Sequence, residues 1–406
     1  MHDQLAGALA ALDPADAQYA SRFVDALLTA GRQRGASDLH LQPTPTGLEL
    51  RWRVDGVLTA LGTYPSGVAA NVIARLKVLA DLLTYRNDVP QEGRIRGDSE
   101  VEVRVSTFPT LHGERAVVRL FTNKLAFRDL AQLGLPDEIL LRLRRSLAET
   151  SGAILLAGPA GSGKTTTLYA CLHELAHAAT GARSPHASGA RSIVTLEDPI
   201  EMAIPGVAQS QVNPNAGFNL ATGLRSILRQ DPEVIMIGEI RDRETAEAAL
   251  QASLTGQLLL SSFHAGSAAE AIGRLLDMGI EPYVLRSGVM AIVCQRLVRR
   301  LCSCARVAER DEELLGLSAR QARVAVGCER CGLTGYVGRT LLAEMLPLDS
   351  APLAGAILAR SDVAMLEQLA VQGGMVDRWT RAAQAVEAGI TSPAEVRRVL
   401  GFSRNR

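Results

Sequence analysis

The strongest constraint on the fold of this chain is a short glycine-rich segment near its middle. Residues 158–165 read Gly-Pro-Ala-Gly-Ser-Gly-Lys-Thr and fit the pattern G-x-x-x-x-G-K-[ST] without mismatch. An apolar run over 153–157 precedes the segment, and a helical pattern over 165–175 follows it. A strand, a tight turn and a helix together form the setting in which backbone N–H groups surround a phosphate. The segment therefore predicts a phosphate-binding loop in an α/β domain.

The chemistry of such a loop gives its side chains distinct roles. We expect Lys164 to reach the β- and γ-phosphates of a nucleotide and the Thr165 hydroxyl to ligate Mg²⁺. ATP and Mg²⁺ are therefore the predicted cofactors. The predicted nucleotide-binding residues are Gly158, Pro159, Ala160, Gly161, Ser162, Gly163, Lys164, Thr165 and Thr166.

Three more apolar runs follow the loop, over 193–196, 234–237 and 258–260. Continuous apolar runs are typical of strands buried on both faces, and the intervals leave room for helical crossovers, so the runs indicate a parallel sheet. Ligands of open α/β sheets bind beyond the carboxyl ends of the strands. The polar residues that follow these runs are Glu197, Asp198, Glu239 and His264.

Glu239 follows the third run, at the place where a nucleotidase needs a carboxylate to orient the attacking water. Gly238 stands where an aspartate would hold Mg²⁺. Metal contact is then expected through Glu239 itself, through water, or from Glu197 and Asp198. A solvated loop acid is the alternative interpretation of Glu239. A lone histidine after a strand is more often structural, and contact of a neutral His264 imidazole with the γ-phosphate is the functional alternative.

The region before residue 123 has a different pattern. Residues 15–35 are predicted to be helical, and apolar and polar residues then alternate over 48–54 and 101–105, as in half-buried strands. A helical pattern over 72–83 lies between the two alternating segments. These elements predict an α+β domain, which a helical stretch over 127–150 joins to the phosphate-binding domain.

Composition excludes some classes of protein. Lys+Arg and Asp+Glu both number 43, so the balanced charge argues against a specific nucleic-acid partner. No apolar run reaches 18 residues, and the first residues lack the basic and apolar regions of a signal peptide. We therefore expect a cytoplasmic protein.

Residues 180–190, rich in Gly, Ser and Ala, are predicted to form a flexible loop.

At this point the motifs resemble those of the type II secretion and type IV pilus assembly ATPase family, over about residues 35–400. Besides the Walker A loop, the matching boxes are an acidic box over 195–201, a Walker B segment over 231–242 and a histidine box over 260–265. Residues 36–40, 53–56 and 104–115 resemble the N-terminal domain of the family. Four ordered boxes with a matching flanking domain are highly specific.

The resemblance implies a PAS-like α+β domain followed by a RecA-like P-loop NTPase domain and a C-terminal helical region. The implied boundaries are an N-terminal helical segment at 1–35, the PAS-like domain at 36–122, a linker and bridging helix at 123–150, the ATPase core at 151–300, a cysteine segment at 301–345 and the helical region at 346–406.

The resemblance also implies a homo-hexamer at the inner face of the inner membrane, with nucleotide between the two domains and a polytopic platform protein as partner. It suggests that Arg104 and Arg119 act as arginine fingers, and it strengthens the functional interpretation of His264. A solvated strand face is the alternative for the arginines. Many relatives carry another N-terminal domain that binds the platform. Because only about 35 residues precede Ala36, we expect that domain to be absent or very short.

The implied function is an ATP-hydrolysing motor that powers assembly of a type IV pilus or a type II secretion pseudopilus. The alternatives are a pilus-retraction motor, a DNA-transfer or DNA-uptake ATPase, and a nucleotide-binding ring that does not hydrolyse ATP. Balanced charge argues against the DNA-handling alternative, and the presence of Lys164, Thr165 and Glu239 argues against the ring.

Six cysteines in a cytoplasmic chain indicate a metal site or reduced thiols before disulfides. The family often binds zinc through two C-x-x-C pairs. Here Cys328 and Cys331 fit that spacing, whereas Cys302 and Cys304 are one residue too close, which can strain a tetrahedral site. Structural Zn²⁺ and reduced thiols therefore both stay open.

Two further predictions concern residues near the cysteine segment. Cys171 and Cys294 are expected in apolar helices of the core. Arg296, Arg299 and Arg300 form a basic cluster for which a solvated helix face is favoured over contact with an acidic partner or phosphate. The sequence from Ser392 to Glu395 predicts a capping box at the start of a helix.

Overall fold

A computed structural model describes residues 2–95, 101–122, 129–178 and 191–402. The contacts within it divide the chain into two compact units, Met1–Leu125 with Cys328–Thr334, and Ala126–Gly327 with Gly335–Arg406. Among the described helices, none is long and apolar enough to cross a membrane. The boundaries that the sequence predicts between smaller domains stay predictions.

The first unit is an antiparallel sheet with helices. In the described residues its strands are ordered β3-β2-β1-β6-β5-β4. Phe23 and Leu27 from one helix and Val72 from another are buried in a core with apolar residues of the sheet, such as Leu41 and Trp52. The elements are α1 His2–Ala10, α2 Tyr19–Arg34, β1 Asp38–Thr44, β2 Gly47–Val54, β3 Val57–Tyr64, α3 Ala69–Leu79, β4 Gln91–Ile95, β5 Val101–Thr110 and β6 Gly113–Thr122.

The helix and both alternating strands predicted for this unit are confirmed as α2, β2 and β5. The second predicted helix is shorter than its apolar pattern suggested. It ends at Leu79, because the chain turns at Ala80 and Asp81, where Asp81 has a positive φ of 60°. Residues 82 and 83 therefore lie outside α3.

The second unit combines a largely parallel sheet with helices. Its elements are α4 Asp137–Ala148, β7 Gly152–Ala157, α5 Lys164–Ala178, β8 Ile193–Glu197, β9 Ala208–Gln211, α6 Leu220–Ile227, β10 Val234–Ile237, α7 Arg243–Leu254, β11 Leu258–Phe263, α8 Ala268–Asp277, α9 Pro282–Gly288, β12 Val289–Leu301, β13 Arg306–Val307, β14 Arg323–Val324, β15 Tyr336–Pro347, α10 Ala351–Leu358, α11 Val363–Gln372, α12 Arg378–Glu387 and α13 Pro393–Leu400.

The four strands predicted around the phosphate-binding loop are confirmed as β7, β8, β10 and β11. They pair in parallel, in the order β7-β11-β10-β8. Every residue of β7, β10 and β11 is buried, as the apolar run within each strand predicts. Parallel pairing brings the residues after β8, β10 and β11 to one edge of the sheet.

The sequence analysis missed three strands of this sheet, β9, β12 and β15. The long strand β12 pairs in parallel with β7 and antiparallel with β15. Its sequence contains Cys294 and the basic cluster, both of which we expected in helices, and that expectation is wrong. Arg299 is also not simply solvated, because its guanidinium bonds to the buried Glu395 carboxylate at 2.7 and 2.9 Å.

The predicted capping box at the start of α13 is half formed. The Ser392 hydroxyl accepts a hydrogen bond from the backbone N–H of Glu395 at 3.2 Å, as the motif requires. The Glu395 carboxylate turns away from the helix end and accepts hydrogen bonds from Arg299 and Arg398. Two guanidinium partners outcompete the single backbone N–H that the capping box offers.

The predicted bridging helix is present as α4, after a single 3₁₀ turn at Leu130–Leu133. The predicted helical stretch begins at residue 127, and its residues 127 and 128 lie outside the described residues. The predicted flexible loop at 180–190 lies outside them entirely.

Candidate nucleotide site

The phosphate-binding loop joins β7 to α5 and has a backbone that only glycine tolerates at some positions. Gly158 has a φ of 144°, and a β-carbon there would lie 2.5 Å from the Ser162 hydroxyl and 2.6 Å from the carbonyl oxygen of Gln295. Gly163 has a φ of 93° directly before the helix begins. The two glycines let the chain curl tightly into the N-terminus of α5.

Lys164 extends back over this loop. Its ammonium donates hydrogen bonds to the carbonyl oxygens of Gly158 and Pro159 at 2.8 and 2.9 Å. Burial lowers the pKa of Lys164, and the nearby Glu239 carboxylate partly opposes that effect. The buried Ser162 hydroxyl has no hydrogen-bond partner among the described residues. A buried cation and an unsatisfied hydroxyl at a helix N-terminus fit a phosphate group.

A cavity of about 240 Å³ opens beside the loop. It collects most of the residues that the sequence predicted for the site, although they come from four separate segments. Those that line it are Ala160, Gly161, Lys164, Thr165, Glu197, Asp198, Glu239 and His264. Thr166 is half-buried next to this group and does not line the cavity.

Glu239 is held between two basic side chains. Its Oε1 lies 2.5 Å from His264 Nε2, and its Oε2 accepts a hydrogen bond from Arg241 Nε at 2.7 Å. Arg241 Nη1 lies 3.8 Å from the Asp198 carboxylate, so the arginine links two of the predicted acids. The sequence analysis assigned no role to Arg241. Its position two residues after Glu239 was the only indication.

Glu197 has different surroundings. Its side chain lies at the end of β8 and is only 3% exposed. One carboxylate oxygen accepts hydrogen bonds from Thr195 at 2.6 Å and Gln209 at 3.0 Å, and the other accepts from the Tyr169 hydroxyl. Burial and the Glu197 carboxylate both raise the pKa of Tyr169, so its hydroxyl stays a donor. Both oxygens of Glu197 therefore accept hydrogen bonds from protein groups. No pattern in the sequence indicated the partner Tyr169.

The donors in this cavity suit a magnesium ion. The Thr165 hydroxyl and the carboxylates of Asp198, Glu201 and Glu239 all line it, and oxygen ligands of this type are what Mg²⁺ prefers. The glycine before Glu239 is not required by space. A β-carbon at Gly238 would meet its nearest neighbours at 3.6 Å, an ordinary contact. The backbone around position 238 therefore leaves room for a β-carbon, such as that of an aspartate.

The two predicted arginine fingers lie in the first unit. Arg104 on β5 is directly opposite Arg119 on β6, and Arg94 on β4 is directly opposite Arg104. These three arginines line a cavity of about 460 Å³. Arg119 also donates to the Asp38 carboxylate at 3.0 Å, and this bond helps to lower the pKa of Asp38 against the opposing effect of burial. Like charges directly opposite each other on neighbouring strands are unfavourable, which suits an anion-binding face.

Within the first unit, the sulfur atoms of Cys328 and Cys331 lie 3.8 Å apart. Four Zn–S bonds of about 2.3 Å in a tetrahedron separate the sulfurs by roughly 3.8 Å. This pair therefore has the sulfur spacing of a zinc site, and zinc on all four cysteines stays a prediction. Cys171 and Cys294 are buried, as predicted.

Comparison with known proteins identifies the family. Residues 13–398 match the family model described as type II/IV secretion system protein. The chain is 41% identical to type II secretion system protein E of Klebsiella pneumoniae over 96% of its own length and 77% of that protein. It is 43% identical to the type II secretion system ATPase E of Vibrio cholerae, over 81% of this chain and 65% of that one.

A pilus protein is also among the relatives. The type IV pilus assembly ATPase PilB of Thermus thermophilus is 36% identical over 94% of this chain, and the match spans 43% of PilB. The chain is thus shorter than each of these three relatives, and covers less than two thirds of two of them.

Solved structures agree on the fold. The ATPase DotB of Legionella pneumophila superposes with a TM-score of 0.65 at 22% identity, over 95% of this chain and 96% of that one. The pilus retraction motor PilT with bound ADP gives a TM-score of 0.59 at 23% identity, over 91% and 94% of the two chains. The predicted fold, the predicted family and the prediction of an ATPase are therefore confirmed, and the chain belongs to the type II/IV secretion system protein family.

Proposed function

We propose that the chain is a motor that hydrolyses ATP to power assembly of a type IV pilus or of a type II secretion pseudopilus. The observation that carries the proposal is the placement of Glu239, fixed by His264 and Arg241 in the cavity that also contains Lys164 and Thr165. The names of the relatives, type II secretion ATPase E and type IV pilus assembly ATPase PilB, favour assembly.

In the proposed mechanism the phosphate-binding loop holds the triphosphate through its backbone N–H groups, and Lys164 moves from the loop carbonyls to the phosphates. Glu239 orients a water molecule for attack on the γ-phosphorus, and His264 fixes the Glu239 carboxylate. Thr165, Asp198 and Glu239 would hold Mg²⁺, which supplies charge neutralisation for the phosphates. Arg104 and Arg119 would add positive charge to the transition state as arginine fingers.

The remaining parts of the proposal concern the assembly. We infer a homo-hexamer at the cytoplasmic face of the inner membrane that acts on a polytopic platform protein, together with a structural zinc ion on the four cysteines. Membership of the type II/IV secretion system protein family supports the hexamer and the platform partner. The sulfur spacing of Cys328 and Cys331 supports the zinc ion.

The test is ATP hydrolysis by the purified chain, measured together with its native mass. Glu239→Gln should abolish most turnover while ATP still binds, and Lys164→Ala should remove binding and turnover together. Glu247→Gln is a matched control, because Glu247 is an exposed acid paired with Arg243 on α7. Full turnover in Glu239→Gln would refute the assigned role of Glu239. A hexamer that binds ATP without hydrolysing it would refute the motor.

A further inference from the structure

The loop after β8, residues 198–202, carries two of the acids that line the nucleotide cavity, Asp198 and Glu201. We call it the acidic loop. Asp198 does little to fix the position of the loop, because it is half-exposed and its partner Arg241 is 3.8 Å away and more than half-exposed. A buried group also holds this backbone.

That group is Tyr169. Its hydroxyl donates to the buried carboxylate of Glu197 and accepts hydrogen bonds from the backbone N–H groups of Glu201 at 3.0 Å and Met202 at 3.4 Å. One buried oxygen atom thus joins the end of β8 to the far end of the acidic loop. Phenylalanine would fill the same volume and lose all three bonds.

Gln209 on the neighbouring strand β9 completes the arrangement. Its amide nitrogen donates to Glu197 at 3.0 Å and to the Met202 carbonyl oxygen at 2.9 Å, and its amide oxygen accepts from the Ile204 N–H at 2.6 Å. Gln209 therefore holds the backbone of Met202 and Ile204 and links both to the Glu197 carboxylate.

The other end of this connection is the phosphate-binding loop. Tyr169 lies on α5 four residues after Thr165, so the two side chains share one face of the helix, one turn apart. Thr165 is the residue expected to hold Mg²⁺ at the phosphates. A change at the start of α5 therefore reaches the acidic loop through a single rigid helical turn.

We propose that Tyr169 is a positioning residue that couples occupancy of the phosphate-binding loop to the placement of the acidic loop. The proposal rests on the proposed function, because it assumes that this cavity holds the nucleotide. It gives Glu197 an indirect role: the carboxylate orients Tyr169 and Gln209 and does not touch the nucleotide or the metal.

The test compares Tyr169→Phe with the wild-type chain in two measurements. In steady-state ATP hydrolysis we expect kcat to fall about tenfold while KM stays within about twofold, because the lost bonds order an acid of the site and not the phosphate-binding loop. In hydrogen–deuterium exchange we expect the amides of Glu201 and Met202 to exchange about tenfold faster or more, since they lose their acceptor.

The exchange measurement is repeated with Mg²⁺ and a non-hydrolysable ATP analogue. In the wild-type chain the analogue should slow exchange across residues 198–204, and in Tyr169→Phe this protection should be largely lost although the analogue still binds. Tyr283→Phe is the matched control, because Tyr283 is an exposed tyrosine on α9. Gln209→Ala is a second variant, expected to speed exchange at Ile204, whose N–H loses its acceptor, and to lower kcat.

The outcomes separate this proposal from the proposed function. Unchanged exchange at Glu201 and Met202 in Tyr169→Phe would overturn it, as would faster exchange with an unchanged kcat. If the wild-type chain hydrolyses no ATP, the proposed function fails, and the loss of analogue-dependent protection in Tyr169→Phe still decides whether the coupling exists.

Discussion

Two strands of the same parallel sheet lead into glutamates that differ in almost every contact. Glu197 ends β8, is buried, and receives hydrogen bonds from uncharged donors on Thr195, Gln209 and Tyr169. Glu239 lies two residues past β10 and is held by an arginine and a histidine. Both residues are glutamates at the same edge of the sheet, so the groups that contact them account for the difference between the two sites.

The difference teaches how to assign roles at this edge. A carboxylate whose two oxygens both accept hydrogen bonds from protein groups has little acceptor capacity left for a water molecule or a metal, and losing it leaves those donors unsatisfied. A carboxylate held by an exposed arginine and a histidine at the edge of a cavity can exchange partners when a substrate enters. We therefore expect Glu197 to matter for stability and Glu239 for turnover.

The largest expected effect is on turnover in Glu239→Gln. Removing the charge that orients the attacking water should lower kcat by about 100- to 1,000-fold. The free energy of unfolding should change little, because the amide keeps the size of the side chain and its Arg241 partner is largely exposed. Single-turnover hydrolysis and chemical denaturation measure the two quantities. If the Glu239→Gln variant is strongly destabilised, the expectation that Glu239 matters for turnover and not for stability is wrong.

The next effect is on stability in Glu197→Ala. Three donors, on the buried Tyr169 and Thr195 and on the half-buried Gln209, would lose their shared acceptor, so we expect the free energy of unfolding to fall by about 2–4 kcal/mol. Urea denaturation measures this change, with Glu233→Ala as a control at an exposed acid directly before β10. A variant as stable as the wild type but inactive would return Glu197 to the catalytic group.

How far the sequence reaches can be judged from these same residues. The phosphate-binding loop and the four strands around it follow from local patterns, because a short continuous apolar run of three to five residues is compatible with little else beside a glycine-rich turn. Glu239 and His264 follow from strand ends. The partners of Glu197 do not, since Tyr169 is 28 residues away along the chain and Gln209 is 12 residues away.

Strand β12 shows a different limit. Its arginines at 296, 299 and 300 repeat at helical spacing, and its apolar residues are buried on both faces near β7, so no period of two is visible. Only pairing with β7 and β15 identifies it as a strand. Periodicity cannot separate a buried strand from a helix in such a run.

A third glutamate separates the effect of charged partners from the effect of the cavity. Glu395 is fully buried and bonded to Arg299 and Arg398, but it does not line the nucleotide cavity. We expect Glu395→Gln to leave kcat unchanged and to lower the free energy of unfolding at neutral pH by roughly 1.5–3 kcal/mol. A large loss of turnover would mean that charged partners, wherever they lie, mark a catalytic carboxylate.

The same residue gives a pH dependence. Burial alone would raise the pKa of Glu395, but hydrogen bonds from Arg398 and Arg299 outweigh burial and hold it below its ordinary value of 4.5. A carboxylate with a lowered pKa in the folded chain contributes stability above its ordinary pKa and loses it as the pH falls further. The gap in unfolding free energy between wild type and Glu395→Gln should therefore narrow below pH 4.5, and a gap that widens there would contradict this assignment.

The smallest expected effect concerns Arg241, the link between Glu239 and Asp198. Its side chain is 59% exposed, and an exposed ion pair contributes about 0.2–1 kcal/mol. If Arg241 only steadies Glu239, Arg241→Ala should lower kcat by no more than about fivefold. Arg243→Ala, which breaks a more exposed pair with Glu247, is the control and should leave kcat unchanged. A fall of about 100-fold would mean that Arg241 itself contacts the phosphates. The contrast between Glu239 and Glu197 would then rest on the arginine rather than on the carboxylate that it holds.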